Sequence, residues 1–308
     1  MATNRIFYAC QAVGFGPSDG GATAALTGVQ SVGVNSTFGL EQVFQLGQIE
    51  IYENIEGTPE VELTIEKVFD SKSNLYKAFA GTNQSITSVA TMRKSVTLCV
   101  VDDSKSVHET PQTGLIGVEC TGVYMSNYSA NFSVDGTSTD TITLVGNHQT
   151  WGAETLTLSP AVGSADVAKR QDLSLSAAGI AGATGKVQSA TASIDFGRED
   201  LLEFGSKTPY FRAASFPVEC SAEVTYNAVQ TNLNHGGLNF TDGQTANVQT
   251  TDSTIKISYV AGGTGQGNTG NIGISGRCTG MNYSGGDASG GNATVTYSYT
   301  GYNNFTYE

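Results

Sequence analysis

Val29-Gln30-Ser31-Val32-Gly33-Val34-Asn35-Ser36-Thr37-Phe38 decides the fold when it is set beside Val187-Gln188-Ser189-Ala190-Thr191-Ala192-Ser193-Ile194-Asp195-Phe196, 158 residues later (187 against 29). Both stretches alternate. Val32, Val34 and Phe38 share one side with Gln30 and Ser36, while Ser31, Gly33, Asn35 and Thr37 share the other. In the later stretch Ala190, Ala192, Ile194 and Phe196 oppose Ser189, Thr191, Ser193 and Asp195. A period of two with one apolar and one polar face is a half-buried strand of an antiparallel sheet.

The same shift recurs outward from these strands. Phe38-Gly39 returns as Phe196-Gly197, Glu41 as Glu199, Gly47 as Gly205, Tyr52 as Tyr210 and Pro59 as Pro217. Far downstream, Cys120-Thr121-Gly122 returns as Cys278-Thr279-Gly280. A spacing held over nearly half the chain predicts one fold unit present twice. The resulting division is an N-terminal arm (1–27), a first unit (28–151), a linker (152–186) and a second unit (187–308). The 308 residues suffice for two units, each with its own core.

Between the repeat's landmarks, Leu40–Leu46 (LEQVFQL) and Arg198–Phe204 (REDLLEF) predict short helices stopped at Gly47 and Gly205. Val61-Glu62-Leu63-Thr64-Ile65-Glu66 aligns with Val218-Glu219-Cys220-Ser221-Ala222-Glu223 as a second strand, V-E-x-[T/S]-x-E, begun by Pro59 or Pro217. Further strands are predicted near 95–101, 116–123, 141–145, 254–260, 272–281 and 294–300. The linker is predicted to carry one short helix near 167–173. The class is mainly β: two tandem sandwich or half-barrel units, each with a short helix.

Composition narrows the function. The net charge is −13, and charged residues are 14% of the chain. Binding held by phosphate contacts needs Lys and Arg to displace counterions, so this balance argues against a nucleic-acid binder and against an anionic membrane surface. No apolar run reaches the ~18 residues of a spanning helix, and MATNRIFYAC has no apolar core of a secretory leader. The five cysteines form no C-x-x-C pair and read as small buried hydrophobes in a reducing compartment. No histidine has ligand spacing to them, so no metal or other cofactor is expected.

Catalytic motifs fail one by one. Gly185-Lys186 lacks the glycine five places earlier and the hydroxyl residue after lysine that a phosphate loop needs, since Ile180 and Val187 stand there. The glycine run from Gly262 to Gly270 has no adjacent lysine and reads as a turn. Asp102-Asp103 does not continue into a calcium loop. The expectation is that the protein is not an enzyme.

The glutamates carry more. Seven lie between Glu41 and Glu66 (41, 50, 53, 56, 60, 62, 66), with no Lys or Arg among them. The matching stretch of the second unit is mixed, with Arg198, Lys207 and Arg212. One reading is a solvated face. The other has Glu41, Glu50, Glu53 and Glu56 of one unit meet Arg198, Lys207 and Arg212 of another.

The run FGLEQVFQLGQIEIYENIEGTPEVELTIEKVFD (Phe38–Asp70) resembles a segment of bacteriophage tail tube proteins, and SIDFGREDLLEFGSKTPYFRAASFPVEC (Ser193–Cys220) resembles the corresponding segment. The resemblance implies two packed antiparallel sheets with a short helix, a loop that docks on neighbours, and rings of six units around a DNA channel. Two units per chain then imply trimeric rings. The implied partners are further copies of the chain, within a ring and between stacked rings, other tail proteins, and viral DNA that passes without specific binding. No membrane partner is implied. The implied location is the virion tail, after assembly in the host cytoplasm. On this reading Glu62, Glu66, Glu219 and Glu223 face the channel, and Phe38, Gly47, Pro59 and Cys120 are equivalent to Phe196, Gly205, Pro217 and Cys278. A distal tail or baseplate hub protein of the same fold, and a β-rich adhesin or binding module, stay open at this point.

Overall fold

The computed structural model describes residues 6, 8–20, 24–70, 72–101, 115–154, 156, 166–177, 186–228, 252–260, 269–286 and 291–307. Asp102-Asp103, His108, Gly185, His235 and the glycine run up to 268 lie outside the described residues. In chain order the elements are β1 (Gln11–Gly16), β2 (Ala24–Ala25), β3 (Val29–Phe44), β4 (Ile51–Val68), α1 (Leu75–Ala80), α2 (Ile86–Thr91), β5 (Lys94–Val100), β6 (Leu115–Ser133), β7 (Thr139–Gly146) and β8 (His148–Glu154). There follow β9 (Leu173–Ala177), β10 (Val187–Asp195), β11 (Arg198–Leu201), β12 (Phe211–Ala214), β13 (Glu219–Asn227), β14 (Ser253–Val260), β15 (Thr269–Ser284), β16 (Thr294–Tyr302) and β17 (Phe305–Tyr307). The protein is mainly β, with antiparallel sheets.

The central sheet runs β3-β4-β7-β6-β10-β13-β16-β15. It consists of two quartets, β3-β4-β7-β6 and β10-β13-β16-β15, each ordered first, second, fourth, third along the chain. β6 and β10 join them through seven paired positions from Ser189↔Ser133 to Asp195↔Asn127. Two long strands cross between layers. β6 pairs with β5 and β8 up to Val123, then with β7 from Tyr124. β15 pairs with β14 up to Gly276, then with β16 from Arg277. The arm supplies β1, which pairs with β5, and the linker supplies β9, which pairs with β14.

Val61, Leu63 and Ile65 of β4 turn into the core while Glu62, Thr64 and Glu66 turn out, as their alternation predicts. Each such apolar side chain contributes about 1.5–3 kcal/mol on burial. The core does not split between the quartets. Phe69 stacks on Phe132 with centroids 4.7 Å apart and meets Tyr259 of β14 at the same distance, and Tyr76 of α1 meets Phe305 of β17 at 4.8 Å.

Several expectations are corrected. Leu40–Leu46 is not a helix: β3 continues to Phe44, paired with β4 from Leu40↔Glu56 to Phe44↔Ile51. Arg198–Leu201 is likewise a strand, paired with Phe211–Ala214. Two turns of isolated helix are marginal, whereas a hairpin partner satisfies the backbone of every second residue. Gly47 and Gly205 do adopt positive φ, +89° and +88°, but in hairpin turns. Helices form instead within 75–91. Asn74 and Ser85 cap them by accepting from the backbone N–H of Lys77 and Ser88, and Leu75, Tyr76, Phe79, Ile86 and Val89 are buried beneath. In the linker, a 3-10 turn at Arg170–Asp172 stands where a short helix was expected.

The registers also revise three equivalences. A bulge between Val29 and Ser31 matches one between Val187 and Ser189, and past it Ser31 pairs with Glu66 but Ser189 with Thr225. Glu66 therefore corresponds to Thr225, so the two V-E-x-[T/S]-x-E patterns are offset by two residues, which preserves the face. By the same offset Pro59 corresponds to Val218 and not to Pro217. Cys120 pairs with Val96 and Gln149 before the crossover of β6, whereas Cys278 pairs with Tyr299 after that of β15. The crossovers lie 153 residues apart (277 against 124), so Met125, followed by a bulge like the one after Cys278, holds the position of Cys278.

Candidate functional site: the polar face and open edges of the central sheet

The outward face of the central sheet is built from alternate residues of eight strands. β7 offers Thr139, Thr141 and Thr143, β6 Asn127, Ser129 and Asn131, β10 Ser189, Thr191 and Ser193, and β16 Thr294, Thr296 and Ser298. Hydroxyls bond across the strands: Ser193 to Ser221 at 2.7 Å and Thr225 to Thr296 at 2.9 Å. Glu62, Glu219 and Glu223 are exposed on this face and Glu66 is half-exposed. Ser31 donates to Glu66 Oε2 at 3.3 Å, and Ser298 donates to Glu223 Oε1 at 3.1 Å. Asp195 adds a fifth carboxylate beside Glu219. Against these, Lys67 of β4 turns into the core, and Arg277 stands midway along β15, at its crossover. The face can present hydroxyls and negative charge to a polyanion; it offers no basic cluster to hold one.

Among the described residues the sheet ends at β3 on one side and at the distal half of β15 on the other. Core-side residues of these strands are open where those at the β6–β10 seam are closed. Val32 and Val34 are half-buried, but Ala190 and Ala192 are buried. Met281 and Tyr283 are 44% and 51% exposed, but Tyr128 and Ala130 are fully buried. The alternation in sequence did not say which strands carry these edges.

Beyond Pro59, β3 and β4 leave the sheet as a two-stranded arm that exposes Phe38, Leu40, Phe44, Leu46, Ile49 and Tyr52. Glu41, Glu50 and Glu53 are exposed along it. One pair among those acids and bases lies within the chain. Lys207 pairs with Glu56, holding that carboxyl below its usual range, and its carbonyl accepts from Thr58 at 3.2 Å. Arg212, itself buried, reaches Asp200 at 3.1 Å and Glu60 at 3.5 Å.

Among the described residues Arg198 meets no carboxylate; it locks the seam. Its Nε donates to the Met125 carbonyl at 2.8 Å, and Nη1 donates to the carbonyls of Ala90 and, at 3.1 Å, Arg212. Its guanidinium lies 5.1 Å from the rings of both Tyr124 and Phe196. Burial lowers its pKa to about 10, which leaves it charged at neutral pH. Of the paired landmarks, Phe196 is buried while Phe38 is exposed.

Four of the five cysteines are buried and Cys278 is half-buried. Burial pushes the Cys120 and Cys220 thiols up to about 11, away from reactive thiolate. Among the described residues no group of three or more His, Cys, Asp or Glu could hold a metal ion, and no helix is long and apolar enough to cross a membrane.

Residues 22–146 match the family model of the Phi812 tail tube protein. The matched segment spans β2 to β7, and so the whole first quartet with its arm and both helices. The match supports a phage tail tube protein, a structural and non-enzymatic kind of virion tail component. No curated protein matches the chain.

Proposed function

We propose that the chain is a duplicated tube subunit that closes into rings by continuing its central sheet from one molecule to the next, and that stacked rings form the conduit for DNA. The observation that carries this is the seam between β6 and β10. There the first strand of one quartet sits on the last strand of the other. The same two kinds of strand, β3 and β15, are the open ends of the sheet. Unpaired edges recruit further strands unless something covers them. The β3 of a second molecule fits on β15 as β10 fits on β6, and closure pairs both edges of the central sheet.

Register follows from the two offsets, 158 for β10 to β3 and 153 for β6 to β15. Ser193↔Ser129 becomes Asn35↔Asn282, and Ala192↔Ala130 becomes Val34↔Tyr283. Val34 and Tyr283 then cover one another, which accounts for their exposure in the single chain. The identical quartet order and the coincident bulges support the duplication. Three chains supply the six units of a tube ring. Closure in this sense makes the Thr/Ser/Glu face one continuous wall. We assign it to the channel, with Glu62, Glu66, Glu219 and Glu223 at the lumen, where like charge keeps phosphates from adhering.

The test is covalent capture of the seam. Asn35→Cys with Asn282→Cys, in a Cys278→Ser background, is expected to oxidise into a ladder that stops at a closed trimer, with each single variant remaining monomeric on a denaturing gel. Electron microscopy of the same protein would show stacked rings. A ladder ending at a hexamer overturns the trimer; absence of crosslinking in assembled tubes overturns the seam.

A further inference from the structure

The seam inside the chain and the seam between chains are not chemically the same, and their difference identifies an ion pair. We propose that Arg277 of one molecule pairs with Glu53 of the next at each junction between chains. The inference rests on the closure described above and on the registers of the chain's own seam.

Inside the chain, the position that matters is held by Tyr124, the first residue of β6 after its crossover. It packs edge-on against Phe211 of β12, with centroids 5.7 Å apart and planes at 88°. Arg198 and Phe196 complete the contact, as described. The corresponding residues at the outer seam can be read directly. Arg277 is the first residue of β15 after its own crossover and so takes the place of Tyr124. In the hairpins, Leu201↔Phe211 matches Val43↔Glu53, so Glu53 of the neighbour takes the place of Phe211. By the same shift Leu40 replaces Arg198 and Phe38 replaces Phe196.

Both members of the aromatic pair are thus exchanged for opposite charges, and the cation beside them is exchanged for leucine. One positive charge is kept at each seam but on opposite sides of it. At the inner seam it comes from β11 and lies between two rings. At the outer seam it comes from β15 and faces a carboxylate, with the Phe38 ring beside it. Arg277 and Glu53 are both exposed in the single chain. Arg277 touches Asp252 at 3.2 Å, and its five donors leave room for a second acceptor. The exchange also makes the outer seam the one that ionic strength weakens, since an edge-on aromatic contact carries no net charge to screen.

Charge reversal tests the pair. Arg277→Glu and Glu53→Arg, each alone, are expected to weaken ring formation by about tenfold or more in sedimentation velocity, because each juxtaposes like charges. Combined, they are expected to recover assembly to within about threefold of the starting protein. Asp252 is present in every variant, so recovery reports the partner molecule alone. Single reversals without effect, or a double variant no better than the worse single one, overturn the pairing. The Asn35–Asn282 crosslink made in the otherwise unchanged protein separates the two failures. If it forms and the reversals do not couple, closure stands without this pair; if it does not form, closure itself fails.

Discussion

The guanidinium of Arg198 lies 5.1 Å from the ring of Tyr124, across the seam where β10 joins β6. It belongs to the second quartet's hairpin, yet two of its three hydrogen bonds end on carbonyls of β6 and α2. One side chain therefore fastens the second half of the chain to the first. Its work is structural, and it is done by planarity as much as by charge.

Arg198→Ala is expected to destabilise the chain by about 2–4 kcal/mol, because it strands the Met125 and Ala90 carbonyls and removes the stack on two rings. Arg198→Lys is expected to recover less than half of that, since an ammonium cannot span the same acceptors while lying flat on aromatic faces. Chemical denaturation of the unassembled chain measures both.

Asp140 gives the fold a pH dependence. It lies opposite Lys67 in the β4–β7 register, accepts the Leu75 N–H at 2.6 Å and lies 3.4 Å from the Tyr128 hydroxyl. Burial nevertheless pushes its pKa up to about 7 from the ordinary 3.8. Between those values the folded chain keeps a proton that the unfolded chain has lost, so stability falls as pH rises through that window. The slope reaches at most about 1.4 kcal/mol per pH unit. Asp140→Asn removes the titration. Its stability relative to the parent is expected to improve from pH 4 to about pH 7 and then level off in denaturant melts; a constant difference would mean that Asp140 is ionised throughout.

Nearby, Lys67 and Asp70 form an ion pair at 2.6 Å with both side chains 1% exposed. Asp70→Asn leaves the ammonium buried without its counter-charge and is expected to cost about 3–5 kcal/mol. Gly28→Ala is expected to disturb the same pair. Gly28 has φ +74°, and an added Cβ would stand 2.8 Å from Asp70 Oδ2. Thermal unfolding of the two variants checks whether their effects fail to add, as expected for one shared site.

The strands of the central sheet were legible because each has one polar and one apolar face; β3, β4 and β10 could be read from period alone. The arm was not. Leu40, Val43 and Phe44 suit a helix as well as a hairpin, and the deciding partner, Ile51–Glu60, lies downstream in sequence. The helices at 75–91 carried a usable signal, Asn74 and Ser85 each ahead of apolar residues at helical spacing. The Cys-Thr-Gly match misled because β6 and β15 reach their crossovers after different lengths of chain, so identical tripeptides fall on opposite sides of them. For the candidate site, alternation gave the face of the glutamates, while the offset of two residues needed the bulges. Which acids meet which bases needed three dimensions: Lys207 finds Glu56, but Arg198 turns to carbonyls and rings.

The glutamate face makes the last prediction. If Glu62, Glu66, Glu219 and Glu223 line the channel, replacing them by lysine converts a repelling wall into one that binds phosphate. Tubes assembled from the quadruple variant are expected to retain double-stranded DNA that parent tubes release. Retention should fall steeply with salt, with a log–log slope of about −0.9 for each phosphate engaged. Glutamine at the same positions removes the repulsion without adding attraction, so it is expected to slow passage slightly and to leave no comparable salt dependence. Release of labelled DNA fragments from sedimented tubes distinguishes the three proteins. If the lysine tubes behave as the parent does, these carboxylates lie on the outside of the tube, whatever the seam between the chains.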